Sequence, residues 1–147
     1  MLKLSKKTEY AIIALMHMAE HSYDKLNTAK EIAEEYNIPR ELMNKVLQKL
    51  AKADIIISHQ GVKGGYQLQR PINDINFNII ISAVDGPISL MDCVHLDACG
   101  CDQMDYCNIK TPMEFIQSEL LQFFNGITLQ DFKKKSKRKI PLMQIEE

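Results

Sequence analysis

Four cysteines, Cys93, Cys99, Cys101 and Cys107, fall within fifteen residues of a 147-residue chain. Thiols so close in sequence serve either disulfide bonding or metal ligation. The Met1-Leu2-Lys3 start has no signal-peptide core and the chain has no long apolar run, so a cytoplasmic location without membrane contact is expected, where thiols stay reduced. Crowded thiolates repel one another and favour a cation, which makes metal ligation the expected chemistry. Zinc and an iron–sulfur cluster are the contenders. Spacing alone does not choose, because four cysteines with a Cys-x-Cys core can close a tetrahedral zinc site. Asp92, Asp97, Asp102 and Asp105 share the stretch and are expected to face water, since buried carboxylates would oppose a further anionic group.

A second set of residues suits nucleic-acid reading. Arg40, Glu41, Asn44, Lys45 and Gln48 recur along one helical stretch, and these types match base edges: Arg or Lys guanine, Asn or Gln adenine, Glu cytosine. Lys6, Lys7, Lys49 and Lys63 are placed to neutralise phosphate.

The elements that must position both sets are legible as punctuation. Ser5 caps a helix running to about His21, on which His17 and His21 read as ordinary polar residues. Thr28-Ala29-Lys30-Glu31 is a capping box opening a short helix to about Tyr36. Asn37-Ile38-Pro39 breaks it, and a second helix is expected from Arg40 to Ala53 with Leu42, Val46, Leu47 and Leu50 on its apolar face. The pair makes a helix-turn-helix. Ile55–Ser58 and Tyr66–Gln69 flank a glycine-rich connection from His59 to Gly65, which predicts a β-hairpin wing. Asn76 caps a helix ended by Gly86-Pro87, and Thr111-Pro112-Met113-Glu114 reads as a capping box opening a long helix through Phe115, Leu120, Leu121 and Phe124. That helix is richer in apolar residues than one small domain needs, and is expected to dimerise the chain.

The expected fold is therefore mainly α with a small β-hairpin: a winged helix-turn-helix over residues 1–71, a cysteine-loop and dimerisation region over 72–132, and a basic flexible tail over 133–147. Charge follows the same division. The net charge of −1 resolves into +3 for residues 1–70, −8 for 71–132 and +4 for 133–147, so the basic front end is the one suited to phosphate.

Taken together, Leu4-Ser5-Lys6-Lys7-Thr8-Glu9-Tyr10-Ala11, Lys30-Glu31-Ile32-Ala33, Gly61-Val62-Lys63-Gly64-Gly65-Tyr66 with Arg70-Pro71, Ala83-Val84-Asp85-Gly86-Pro87 and Ile127-Thr128-Leu129 resemble the Rrf2 family of bacterial regulators, over residues 2–132. The resemblance implies a homodimer on a roughly palindromic double-stranded operator, with a helix of each subunit in the major groove and a wing at the minor groove. Gln60 stands where the family commonly has an Arg before the wing glycine. Cluster-binding members use three cysteines of this loop. Cys93-x7-Cys101-x5-Cys107 is similar to the spacing of the iron-responsive RirA type, whereas Cys93-x5-Cys99 matches that of the IscR and NsrR types, so Cys99 is an alternative to Cys101. The histidine that serves as fourth ligand in the IscR type is replaced by Lys110. Glu9 occupies the place of the first-helix carboxylate that the NsrR type contributes from the partner subunit. The resemblance thus implies an iron–sulfur cluster, four-iron ahead of two-iron, that controls operator affinity, and most simply a repressor responding to iron, redox state or nitric oxide.

Two other functions are to be weighed. Some members regulate cysteine metabolism without a cluster, through zinc, thiol chemistry or a partner enzyme. A cluster-carrying redox protein is a third class. No nucleotide fingerprint, substrate motif or catalytic-triad spacing supports an enzyme, and a redox role would leave the helix-turn-helix unexplained.

Overall fold

The computed structural model describes residues 2–95 and 100–136. Seven helices and one hairpin occur among them: α1 (Lys6–Glu20), α2 (Ala29–Glu35), α3 (Arg40–Lys52), β1 (Ile56–His59), β2 (Gly65–Leu68), α4 (Phe77–Asp85), α5 (Asp92–His95), α6 (Lys110–Gly126) and α7 (Leu129–Ser136). Caps set most starts. Ser5 Oγ accepts the Thr8 amide at 3.1 Å, Thr28 Oγ1 accepts that of Glu31 at 3.1 Å, and Asn76 Oδ1 accepts that of Ile79 at 2.9 Å. Each satisfies one of the amides that a helix start leaves without an intrahelical partner. Asn37, at φ 52°, turns the chain between α2 and α3 in a left-handed conformation that Asn tolerates.

In α3 the buried positions are Met43, Val46, Leu47 and Leu50, an i, i+3, i+4, i+7 stripe. Leu42, expected on the core face, is 38% exposed, and Met43 takes its place. The two assignments differ by one position, about a 100° rotation, and the burial of Met43 in the core decides between them. The stripe joins Ala11, Leu15 and Met18 of α1, Ile32 of α2 and Ile55, Ile56 and Leu68 of the hairpin in one core. Ile75, Ile80, Val84 and Leu129 belong to the same core, so it extends across the division near residue 71.

The hairpin is antiparallel, pairing Ile56 with Leu68 and His59 with Gly65, one residue later in β1 and one earlier in β2 than the sequence suggests. Asn27 adds a bridge to Tyr66, with both backbone bonds at 2.8 Å, and ties the wing to the entry of α2. Gly64 is required sterically, because a Cβ there would lie 2.3 Å from the His59 carbonyl oxygen.

Two boundaries differ from expectation. Helix α6 begins at Lys110, with Ile109 as a cap that makes no side-chain bond, so Thr111 is not its cap. The Met113 amide already bonds the Ile109 carbonyl at 2.9 Å, and Pro112 is tolerated because a first-turn residue needs no intrahelical N–H. The reciprocal box forms instead at Thr128 and Asp131, where Asp131 Oδ2 accepts the Thr128 amide at 3.0 Å and Thr128 Oγ1 accepts the Asp131 amide at 3.2 Å. It opens α7. Lys133 to Ser136, assigned by sequence to the basic tail, complete that helix, and Lys133 Nζ donates to the Ala19 carbonyl at 2.6 Å. The rest of that tail lies outside the described residues.

His17 is the main surprise of α1. It is 0% exposed, with Nδ1 3.2 Å from the Tyr36 hydroxyl, Glu35 3.4 Å from Nδ1 and Glu31 3.6 Å from Nε2, and the His21 ring packs on it at 4.4 Å. Burial lowers its pKa from the ordinary 6.5, with His21 and Lys25 in the same direction and Glu35 and Glu31 opposing. The folded chain therefore holds this imidazole neutral more strongly than the unfolded chain does. Its contribution to stability is complete above pH 6.5 and is lost as pH falls through the depressed folded value. Melting temperature is expected to drop between pH 7.5 and 5.5 in the wild type, and to drop less in His17→Leu. An equal slope in both proteins would assign the acid sensitivity elsewhere.

Candidate functional site

Arg40, Glu41, Lys45 and Gln48 are exposed on α3 and Asn44 is half-buried beside them. Spacing places Glu41, Lys45 and Gln48 on the side of the helix away from Met43 and Leu47, with Asn44 at its edge, and Arg40 is exposed as the first residue of the helix. Lys45 and Glu41 form an i, i+4 ion pair of 3.0 Å, with 65% and 81% of their side chains exposed. Such a pair is worth well under about 1 kcal/mol, so either member is available to a ligand. Lys7, Lys45, Gln48, Lys49 and Lys52 line a shallow cleft between α1 and α3 floored by Leu42 and Val46. Leu42 thus has a place outside the core, and Lys52 joins the basic rim unforeseen. Lys49 also turns inward, donating from Nζ to the Val84 carbonyl at 2.6 Å.

At the wing, Lys63 is exposed and Gln60 Nε2 donates to Ser58 Oγ at 3.4 Å. Val62, which carries no polar group, is fully exposed beside them. Lys6 pairs with Glu9 at 2.7 Å, and that hydrogen bond raises the Lys6 pKa. The pair lies on the surface, so freeing Glu9 for another partner costs little.

The start of α1 is fastened to the end of α4. Asp85 Oδ2 accepts from Ser5 Oγ at 2.5 Å and from Thr8 Oγ1 at 2.6 Å, and Thr8 is 0% exposed. Desolvation acts to raise the Asp85 pKa, but the two hydroxyls, with Lys7 and Lys49, hold it below the usual 3.8. Gly86 follows at φ 90°, a conformation open to glycine, and redirects the chain towards the cysteines.

Cys93 lies in α5, Cys107 follows a 3₁₀ turn at Met104–Tyr106, and Cys101 donates from Sγ to Gln103 Oε1 at 3.5 Å. All three are half-buried, whereas Asp92, Asp102 and Asp105 are exposed. Cys99 and Asp97 lie outside the described residues. Among the described residues no three His, Cys, Asp or Glu side chains converge on a point suited to a metal ion. Three half-buried thiols among exposed carboxylates are a donor set that fits a soft metal or an iron–sulfur cluster. No described helix is long and apolar enough to cross a membrane.

Residues 4–135 match the Rrf2 family model, described as an iron-dependent transcriptional regulator. The chain belongs to the Rrf2 family. It is 30% identical to the HTH-type transcriptional regulator NsrR of Oceanobacillus iheyensis, over 99% of both chains. It is 31% identical to the regulator IscR of Photobacterium profundum, over 87% of this chain and 73% of that one. The T. potens IscR structure matches with a TM-score of 0.69 at 25% identity, over 92% of this chain and 88% of that one. CymR, the global cysteine regulator of B. subtilis, matches with a TM-score of 0.73 at 22% identity over 92% and 98%, a likeness of fold. The Rrf2 chain described here is thus a winged-helix transcription regulator, not an enzyme.

Asp85→Ala leaves two hydroxyls without their acceptor, one of them buried. A loss of about 1–3 kcal/mol in urea unfolding at pH 7 is expected. Because the carboxylate's pKa is depressed on folding, its stabilisation is present above the unfolded value and disappears as pH falls through the folded one. The gap between wild type and variant should accordingly close in strong acid.

Proposed function

We propose that this regulator binds a roughly palindromic operator as a homodimer and that an iron–sulfur cluster held by its cysteine loop sets the affinity. The observation that carries the reading is the loop itself, with Cys93, Cys101 and Cys107 half-buried and the neighbouring carboxylates turned to water. Cys93, Cys101 and Cys107 are the ligands, Cys99 is the alternative to Cys101, and Glu9 of a partner subunit is the fourth. A four-iron cluster is favoured over a two-iron one. When bound, the cluster supplies a ligand set sensitive to iron supply, oxidants or nitric oxide, most labile where a carboxylate completes it. The description of the matching family as an iron-dependent transcriptional regulator supports an iron-based reading.

The chain's own residues do the rest. Arg40, Glu41, Asn44, Lys45 and Gln48 meet base edges in the major groove, while Lys6, Lys7, Lys63 and Gln60 hold the backbone. Helix α6 exposes Phe115, Ile116 and Phe123 at 65%, 48% and 61%, and a second copy of the chain is the occupant that accounts for this face. The outcome of DNA binding is repression by occlusion.

Anaerobic reconstitution is expected to give a coloured protein with iron and sulfide in stoichiometric amounts, lost in Cys93→Ala and Cys107→Ala. Comparing Cys99→Ala with Cys101→Ala identifies the middle ligand, and Glu9→Ala should retain colour but lose iron faster. Colourless protein, or stoichiometric zinc, would favour a zinc- or thiol-based regulator instead.

DNA reading is checked separately on a duplex selected from a random library. Gln48→Ala is expected to cost about 1–3 kcal/mol on the selected duplex and little on a scrambled one. Lys63→Ala should weaken both and reduce the salt dependence by about one counterion.

A further inference from the structure

Seven residues, 84–90, join α4 to the cysteine loop, and side chains from three other helices hold them. Asp85 takes the hydroxyls of Ser5 and Thr8 at the head of α1. Lys49 of α3 donates to the Val84 carbonyl at 2.6 Å. Gln117 of α6 donates from Nε2 to the Ile88 carbonyl at 2.6 Å and accepts the Leu90 amide on Oε1 at 2.9 Å.

We propose that Gln117 and Lys49 are positioning residues that carry the state of the cysteine loop to the DNA-reading helix, with the 84–90 backbone as the part that moves. This rests on reading the loop as the sensor. Gln117 is 8% exposed on a helix whose other side chains are half-buried or exposed, and an apolar residue would pack there without needing partners. Its amide instead serves a carbonyl and an N–H two residues apart, which fixes the position and direction of the strand between them. A shift of that strand breaks both bonds together, and a buried amide does not stay half-satisfied, so the contact has two settings and not a gradient.

Leu90 lies three residues before Cys93, and the turn between them is closed by Ser89 Oγ on the Met91 carbonyl at 2.7 Å and by the Val94 amide on the same carbonyl at 3.1 Å. A change in how Cys93 is held therefore reaches Leu90 with little slack. At the other end, Val84 offers a carbonyl of the last turn of α4, where the helix dipole favours a cation. The cation comes from the residue next to Gln48. Moving Val84 either drags α3 or releases the Lys49 ammonium to the basic cleft it borders. Both change how α3 meets DNA.

The test uses the full chain, reduced and metal-free, with Gln117→Met and Lys49→Met, which keep length and volume. Amide hydrogen exchange should rise about fivefold or more in Gln117→Met, at 84–90 and also in the last two turns of α3. In the Lys49→Met background the same substitution should affect 84–90 alone. A rise confined to 84–90 in the otherwise wild-type chain overturns the proposal. Where Gln117→Met does not fold, Gln117→Glu serves, since it keeps an acceptor for the Leu90 amide and loses the donor to Ile88.

The second readout is the ratio of affinities of loaded and metal-free protein for the selected duplex. That ratio should collapse towards one in both variants while iron content is unchanged. If both affinities fall and the ratio persists, the two residues are merely structural and the coupling is wrong. A wild-type ratio of one at full iron content removes the sensor reading instead, and the exchange result then judges the coupling by itself.

Discussion

One carboxylate oxygen, Oδ2 of Asp85, receives two hydroxyls from the first turn of α1. An anion at the last residue of α4 sits at the wrong end of that helix's dipole, and is stable because it lies at the favourable end of another. The bond thus locks α4 to α1 tail to head. Around the lock, Leu2, Leu4, Ile81, Pro87, Ile88, Leu120 and Phe124 line a largely apolar pocket, so the segment before α1, α4 and α6 are gathered at the place where the chain leaves for the cysteines. Glu9 lies one residue beyond Thr8, which gives its proposed ligand role a rigid base.

The far end of α1 is held by different means. Lys133 reaches back from α7 to the Ala19 carbonyl, and His17 is enclosed by Tyr36, Glu31 and Glu35 of the α2 segment. Glu31 itself is held ionised chiefly by its hydrogen bond to Lys25, at 2.8 Å. Among the described residues α1 makes no hydrogen bond or ion pair to a DNA-reading residue of α3, yet it is the strut against which α3, α4, α7 and β2 all pack.

Local chemistry made much of this legible. The caps at Ser5, Thr28 and Asn76, the Asn37-Ile38-Pro39 break, the glycine-rich wing and the Gly86 stop are signals carried by a few adjacent residues, and the structure places elements there. Failures came where two solutions satisfy the same local rule. Leu42 and Met43 both continue an apolar stripe, and only the direction of α1 chooses. Thr111 and Thr128 both stand three residues before an acid, but Thr111 lies inside a helix that already begins at Lys110, whereas Thr128 immediately precedes the first residue of α7. His17, Gln117, Asp85 and the inward donor of Lys49 were invisible for another reason. Their partners are 19, 27 to 29, 77 to 80 and 35 residues away, beyond any spacing rule. The cysteines announced themselves by density, which is why the loop was found before the residues that hold it.

After α6 the backbone returns to where it left. The Phe77 amide bonds the Ile127 carbonyl at 2.9 Å, the Leu129 amide bonds that of Ile75 at 2.8 Å, and Leu129 is fully buried in the core. The stretch between thus has adjoining ends; its first part, α4, belongs to the core through Ile80 and Val84, and among the described residues the chain from 86 to 128 adds no buried side chain to that core. Lengthening such a stretch costs little, about 0.6 kcal/mol of closure entropy per doubling. Evolution can therefore change the spacing between its cysteines, or the chemistry they perform, at little cost in stability to the element that reads DNA. One DNA-binding frame is in this way free to acquire many senses.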